Sequence, residues 1–211
     1  MNNFIEQLFH AVDADRPLLT PSIVDICNID NYILLELCGG IPISDIENIR
    51  MNVEVINSCV YEITIITPFY HIERTINFTD KLIINATMII YTPNEGIGNN
   101  IFYNQVAAAI KHGFKQLRTN PVKGSNFNGY YVWGRFGYSI VPVYLTQYEN
   151  WCKENDIEYK PLFEILLDTA SRRKWIDNGY SWVGEFNLEK GSENRRNYNR
   201  YLESKGLSVR V

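Results

Sequence analysis

The chain has no run of apolar residues near the roughly 20 that span a bilayer, and it has few of the residues that hold metals. Its four cysteines (Cys27, Cys38, Cys59, Cys152) and three histidines (His10, His71, His112) are scattered without ligand spacing. No zinc site is expected from that pattern, and the cysteines are too sparse for a disulfide framework. The opening stretch "MNNFIEQLFHAVDADRP" carries acids early and no basic region, so a signal peptide is not expected. A reduced, cytoplasmic protein with no membrane partner and no metal is the expectation. What is present is globular composition, 45% apolar and 21% charged over 211 residues, enough for one full domain or a domain with an extension.

Charge is unevenly spread. Of the net −4, residues 171–211 carry nine basic and five acidic side chains, and the other 170 residues carry 11 and 19. The asymmetry predicts a tail that docks on the acidic body or on something anionic.

In "FIEQLFHAV", residues 4–12, the apolar side chains fall at helical spacing. After Pro17 and Pro21 a second apolar stretch runs to Gly39-Gly40, and "PISDIENIR" follows with Ser44 placed as an N-cap and Glu47 three positions on. These predict a helical cap over residues 1–50. From Met51 the chain turns to Ile, Val, Thr and Tyr: "VEVINSCVYEITIITPF", "HIERTINF" and "KLIINATMIIY", divided by Pro68 and Thr79-Asp80, read as an antiparallel meander. Asn85, polar within the last of these, is expected to be satisfied by a neighbour. A helix of about 14 residues is predicted next, ending at His112-Gly113. "KQLRTNPV" is read as a strand, "NFNGYYVWGRF" as an aromatic helical turn, and "GYSIVPVYL" as another strand. "TQYENWCKEN" and "PLFEILLDTASRRKWIDNG" are each read as one helix, and a last helix starts near Ser192.

Between the meander and the long helix lies "YTPNEGIGNNIF". A Rossmann turn requires a third glycine where Ile101 stands, and a P-loop requires Gly-Lys-Ser/Thr where Gly98-Asn99-Asn100 stands. A plain structural turn and a phosphate cradle both remain. Glycines let the backbone approach closely, and first-turn amides with the positive helix end attract anions.

Gly-x-Gly-x-x-Ile between a strand and a helix, followed some 30 residues later by "NFNGYYVWGRFGY" with Asn126 and Gly137-Tyr138 in place, resembles the GNAT superfamily of acyl-CoA-dependent N-acyltransferases. The likeness covers about residues 53–145. It implies a mixed, mostly antiparallel α/β sheet flanked by helices, here with a helical N-terminal cap (1–50) and a helical C-terminal extension (146–211). It implies that the strand backbone at Ile89 and Tyr91 orients acetyl-CoA or another acyl-CoA, that Gly96, Ile97, Gly98, Asn99 and Asn100 hold its pyrophosphate, and that Asn126 belongs to the same site. An amine would be the acyl acceptor.

The chain departs from the family at two places. Pro93 stands where Arg or Gln usually opens the loop, with Glu95 beside it. Trp133 stands where many members carry the tyrosine that protonates the leaving thiolate, a task an indole N–H cannot perform. Tyr131 and Tyr130 are the replacement acids to examine, and Glu73 and Glu62 the candidate bases. Core packing is the competing role for the aromatics. The departures define a second reading, a GNAT-like interaction module without catalysis and with a protein partner. A third comes from "SRRKW" and "ENRRNYNRY", where Arg195, Arg196 and Arg200 alternate with aromatics in a manner suited to nucleic acid. The bland alternative, a helix packed on its own domain, is favoured by the acidic overall charge.

Overall fold

The structure is a computed structural model in which residues 31–40, 50–91, 96–124, 127–207 and 210–211 are described. It is a mixed α/β fold with mostly antiparallel strands flanked by helices, and it divides into two compact units, Met1–Lys115 and Gln116–Val211. The division falls inside the segment 51–145. The expected helix at 4–12 and the Ser44 cap lie outside the described residues.

In the first unit, helix α1 (Asn31–Leu37) is followed by strands β1 (Arg50–Asn57), β2 (Val60–Ile66), β3 (Tyr70–Asn77) and β4 (Leu82–Ile90), then helix α2 (Ile97–Lys111). The strands pair in sequence order as an antiparallel meander. Alternation decides their two faces: Ile63, Ile65, Tyr70, Ile72, Ile76 and Ile83 are fully buried, while their neighbours are half-buried or exposed. The segment read as one strand from Val53 to Phe69 is two, folded tightly at Ser58-Cys59, where Asn57 Oδ1 accepts the Cys59 N–H at 2.9 Å. Helix α2 buries Ile101, Phe102, Val106 and Ala109. Among them Gln105 exchanges amide hydrogen bonds with Asn85 of β4 (3.0 and 2.8 Å) and donates to Leu37 O of α1 (3.1 Å). Asn85 is thus satisfied by a neighbour, as expected, and one polar pair ties three elements together.

One irregularity shapes β4. Glu73 pairs with Thr87 but Arg74 pairs with Asn85, so Ala86 is an extra, bulged residue.

The second unit holds strand β5 (Gln116–Thr119), a short hairpin of β6 (Lys123–Gly124) and β7 (Phe127–Asn128), helix α3 (Gly129–Arg135), strand β8 (Ser139–Ile140), helices α4 (Leu145–Glu154), α5 (Leu162–Leu167) and α6 (Thr169–Asn178), strand β9 (Gly184–Asn187) and helix α7 (Glu193–Ser204). β9 pairs antiparallel with both β5 and β8. The helix expected across residues 161–179 is two, because Asp168 leaves the helical conformation (ψ 130°) and caps α6 by accepting the Ser171 N–H at 2.7 Å. Aromatics fill the core. Tyr130 O accepts both the Trp175 and Trp182 indole N–H groups (3.1 and 2.9 Å), and Trp151 donates to Asn178 O. Every one of these buried indoles has a polar partner, as a dry interior demands.

Candidate functional site

The passage from β4 into α2 comes first. The strand ends at Ile90, residues 92–95 are outside the described set, and Gly96 caps the helix with φ 76° and ψ 1°. That is left-handed backbone, which glycine adopts without the Cβ clash of other residues. Being glycine, it offers no side-chain acceptor to the first-turn amides, and the first turn contains no acid. The Asn100 N–H donates to Gly96 O at 3.1 Å, the bond that closes the first turn. Gly98 rests on β4: a Cβ there would lie 3.5 Å from Ile90 Cγ1 and 3.9 Å from Met88 Cε. Ile97, Gly98, Asn99 and Asn100 are all half-buried. The 15-residue helix therefore brings its positive end, worth roughly half a charge, to the end of the strand with no acid in its first turn to oppose an anion.

The opposite face of the same strands carries the acids. Register places Thr64, Glu73 and Thr87 in one cross-strand row, and Ile66, His71 and Ile89 in the next. The Thr87 hydroxyl donates to Glu73 Oε2 at 2.6 Å, and His71 Nε2 lies 3.2 Å from Glu73 Oε1. The second contact is not a hydrogen bond, since Nε2 is buried without a hydrogen-bond partner among the described residues. Glu73 is thus hydrogen-bonded at Oε2, with the His71 ring beside Oε1, while its side chain stays 41% exposed. A carboxylate has about four acceptor sites, so about three remain for a ligand. His71 and Thr87 were not singled out in the sequence. The i, i+2 placement of His71 and Glu73 on one strand was the signal for the first; Thr87 needed the bulge. Glu62 is exposed in a further row, opposite Glu54 and Thr75.

Ile89 is half-buried beside His71, and Tyr91, 50% exposed, follows the end of β4. These two, Glu73 and Gly96 to Asn100 all belong to the first unit; Tyr130 and Tyr131 belong to the second, and Asn126 lies outside the described residues. The Tyr130 hydroxyl donates to Ile176 O at 2.7 Å, and burial, with the nearby Asp177 charge, raises its pKa. Tyr131 instead accepts from Arg135 Nη1 at 3.1 Å. Trp133 is 6% exposed and packs edge-on against Phe136 and Tyr138. Burial lifts the Cys38 thiol to about 12 and raises Cys152 as well, so neither supplies a thiolate at neutral pH.

The tail arginines are engaged within their own unit. Arg195 Nη1 donates to Leu188 O (3.2 Å), Arg196 Nη1 to Gly191 O, and Arg200 pairs with Glu164 while lying 5.2 Å above the Phe163 ring. Among the described residues no group of three or more metal-ligating side chains occurs, and no helix is long and apolar enough to cross a membrane. Comparison with protein-family models, curated proteins and solved structures finds no match to this chain.

Proposed function

We propose that this chain is an acyl-CoA-dependent N-acyltransferase of the GNAT kind. The observation that carries the reading is the strand–glycine–helix passage: a left-handed Gly96 opening a 15-residue helix whose first turn is free of acids and seated by Gly98 on β4. The residues suit the group. Backbone amides of the first turn, with the helix dipole, would hold the pyrophosphate, and the Ile89–Tyr91 backbone would orient the rest of the molecule.

Bound there, acyl-CoA supplies an activated acyl carbon. Glu73, oriented by the Thr87 hydroxyl, receives the acceptor ammonium and takes a proton from its nitrogen. As the nitrogen–carbon bond forms and the carbon–sulfur bond breaks, the ammonium loses two protons overall. One ends on the departing sulfur and the other is released. The Tyr130 hydroxyl is committed to the Ile176 carbonyl and does not serve as that donor.

Thermal unfolding with and without millimolar acetyl-CoA tests the reading. A one-site ligand at about 100 times its dissociation constant adds roughly 2.7 kcal/mol of stability, and a clear upward shift is expected. Gly98→Ala should keep it, because a methyl meets Ile90 at ordinary contact distance. Gly98→Glu, which sets a carboxylate against the bound phosphates, should lose it. No shift in the wild type would overturn the proposal.

One observation favours a second reading, that of a non-catalytic interaction module. Trp133, at the position of the family's acid, is buried among Phe136 and Tyr138 and serves the core. On that reading acetyl-CoA gives no shift, and a protein partner is sought.

A further inference from the structure

The end of the meander next to the glycine passage combines two features. One is the carboxylate of Glu73, hydrogen-bonded by Thr87, flanked by His71 and still 41% exposed. The other is a set of large apolar side chains left open to solvent: Ile66 (40%), Phe69 (38%) and Tyr91 (50%). Register brings them together. Ile66 pairs with His71, His71 pairs with Ile89, and the Tyr91 N–H donates to Phe69 O at 2.7 Å just beyond the last pair. By alternation His71 and Glu73 share one face of the sheet, as do Thr87 and Ile89, and Phe69, in the turn before β3, and Tyr91, one residue past β4, lie together at that end of the strands. From Tyr91 to the Glu73 row is four residues of strand, roughly 13 Å.

We infer that this face binds a primary ammonium carried on a short apolar or aromatic body, with Glu73 as its anionic partner and Phe69, Tyr91 and Ile66 as the wall along its body. Resting on the transferase reading, this is the acyl acceptor. A carboxylate already oriented by the Thr87 hydroxyl loses little freedom when an ammonium arrives, and its charge-assisted hydrogen bonds are the strong kind. Aromatic faces attract an ammonium and cover its hydrocarbon. Acids outnumber the basic residue on the face: Glu54 and Glu62 stand directly opposite each other in a neighbouring row, an arrangement that costs stability, and the exposed Arg50, opposite Ile66 on the edge strand, offsets one of the three carboxylates. A polyamine has charge without the apolar body and leaves the wall unused, and an aromatic alcohol has the body without the charge.

The test is binding to the full chain by calorimetry, with no acyl-CoA present, using phenethylamine, 2-phenylethanol and spermidine. Phenethylamine should bind saturably, and the other two at least about tenfold more weakly, the scale of one charge-assisted hydrogen bond or one aromatic contact. Glu73→Gln and Tyr91→Ala should each weaken phenethylamine about tenfold or more on the same scale. Asp80→Asn, which removes the same charge at the far end of the meander, should leave binding unchanged. The comparison of ligands needs only the wild type, so it stands even if a variant fails to fold. Equal binding of 2-phenylethanol, equal binding of spermidine, no saturable binding of phenethylamine, or full binding by Glu73→Gln would each overturn the inference. Phenethylamine binding without any acetyl-CoA shift would keep this site and overturn the transferase reading. An acetyl-CoA shift without amine binding would do the reverse.

Discussion

A methyl group on Gly137 would come within 3.0 Å of Asn194 O and 3.1 Å of Tyr198 N, both on α7, and the φ of 90° is one that L side chains rarely adopt. The neighbouring bonds leave little freedom to move: Asn194 Nδ2 donates to Gly137 O (2.7 Å) and to Ser139 Oγ (2.9 Å), and Asn194 Oδ1 accepts from Asn187 N (3.0 Å). Gly137→Ala combines a left-handed penalty with overpacking, and the expected loss is about 2–4 kcal/mol in urea unfolding. A change within error would mean that α7 can lift away at no cost. The sequence marked Gly137 through its family resemblance. The reason for it was not legible, since the colliding atoms lie nearly 60 residues further along.

Among the elements, the Asn85–Gln105 pair is the test of how α2 is held. Gln105→Leu removes both hydrogen bonds that Gln105 makes with the buried Asn85 amide and should cost about 2–3 kcal/mol, whereas Asn85→Leu with Gln105→Leu should cost clearly less than the sum of the single variants. Additive costs in that cycle would show that the two amides act independently. At the far end of α2, Glu36 of α1 meets His112 (2.7 Å) and Lys111 (2.8 Å). Burial opposes its ionisation, but the bonds from His112 and Lys111 outweigh burial and set its pKa below the usual 4.5. A depressed carboxylate adds stability that is full above its unfolded pKa and lost as pH falls through the folded one. The melting temperature should therefore fall more steeply below about pH 5 in the wild type than in Glu36→Gln. Parallel curves would remove Glu36 from the acid response. Alternating Ile, Val and Thr made the meander legible, and Gly113 marked the end of α2. The β1–β2 turn was hidden because it carries neither glycine nor proline, and its turn chemistry is the less conspicuous Asx turn of Asn57 followed by Ser58. The α5–α6 break was hidden because only the side-chain cap from Asp168 interrupts a continuous helical pattern.

At the scale of the whole chain, charge gives the clearest forecast. The basic tail, residues 171–211, lies within the second unit, and its arginines are bonded to carbonyls, to Glu164 and to aromatic faces there. An oligonucleotide at about 150 mM salt should not bind measurably, since so few cations are uncommitted. The Arg195→Ala/Arg196→Ala double variant should lower the melting temperature without altering that result. Salt-dependent binding lost in the double variant would reverse the assignment. The candidate site was legible in proportion to how local it is. The glycine passage and Glu73 are visible in short stretches, but the hold of Thr87 on Glu73 depends on pairing across strands.

Ala86 sets that pairing. In β4 it acts as a half-period phase shift: Asn85 and Met88 face α2, Thr87 and Ile89 face away, and an unbroken count of two from Asn85 would exchange these roles. If β4 kept Ala86 but ran without the bulge, in unbroken alternation, the strand's last four side chains would swap sides. The hydroxyl would leave the carboxylate, Ile89 would leave His71, and the seat of Gly98 on Ile90 and Met88 would be lost. Both candidate ligand surfaces thus hang on the bulge at a single exposed alanine.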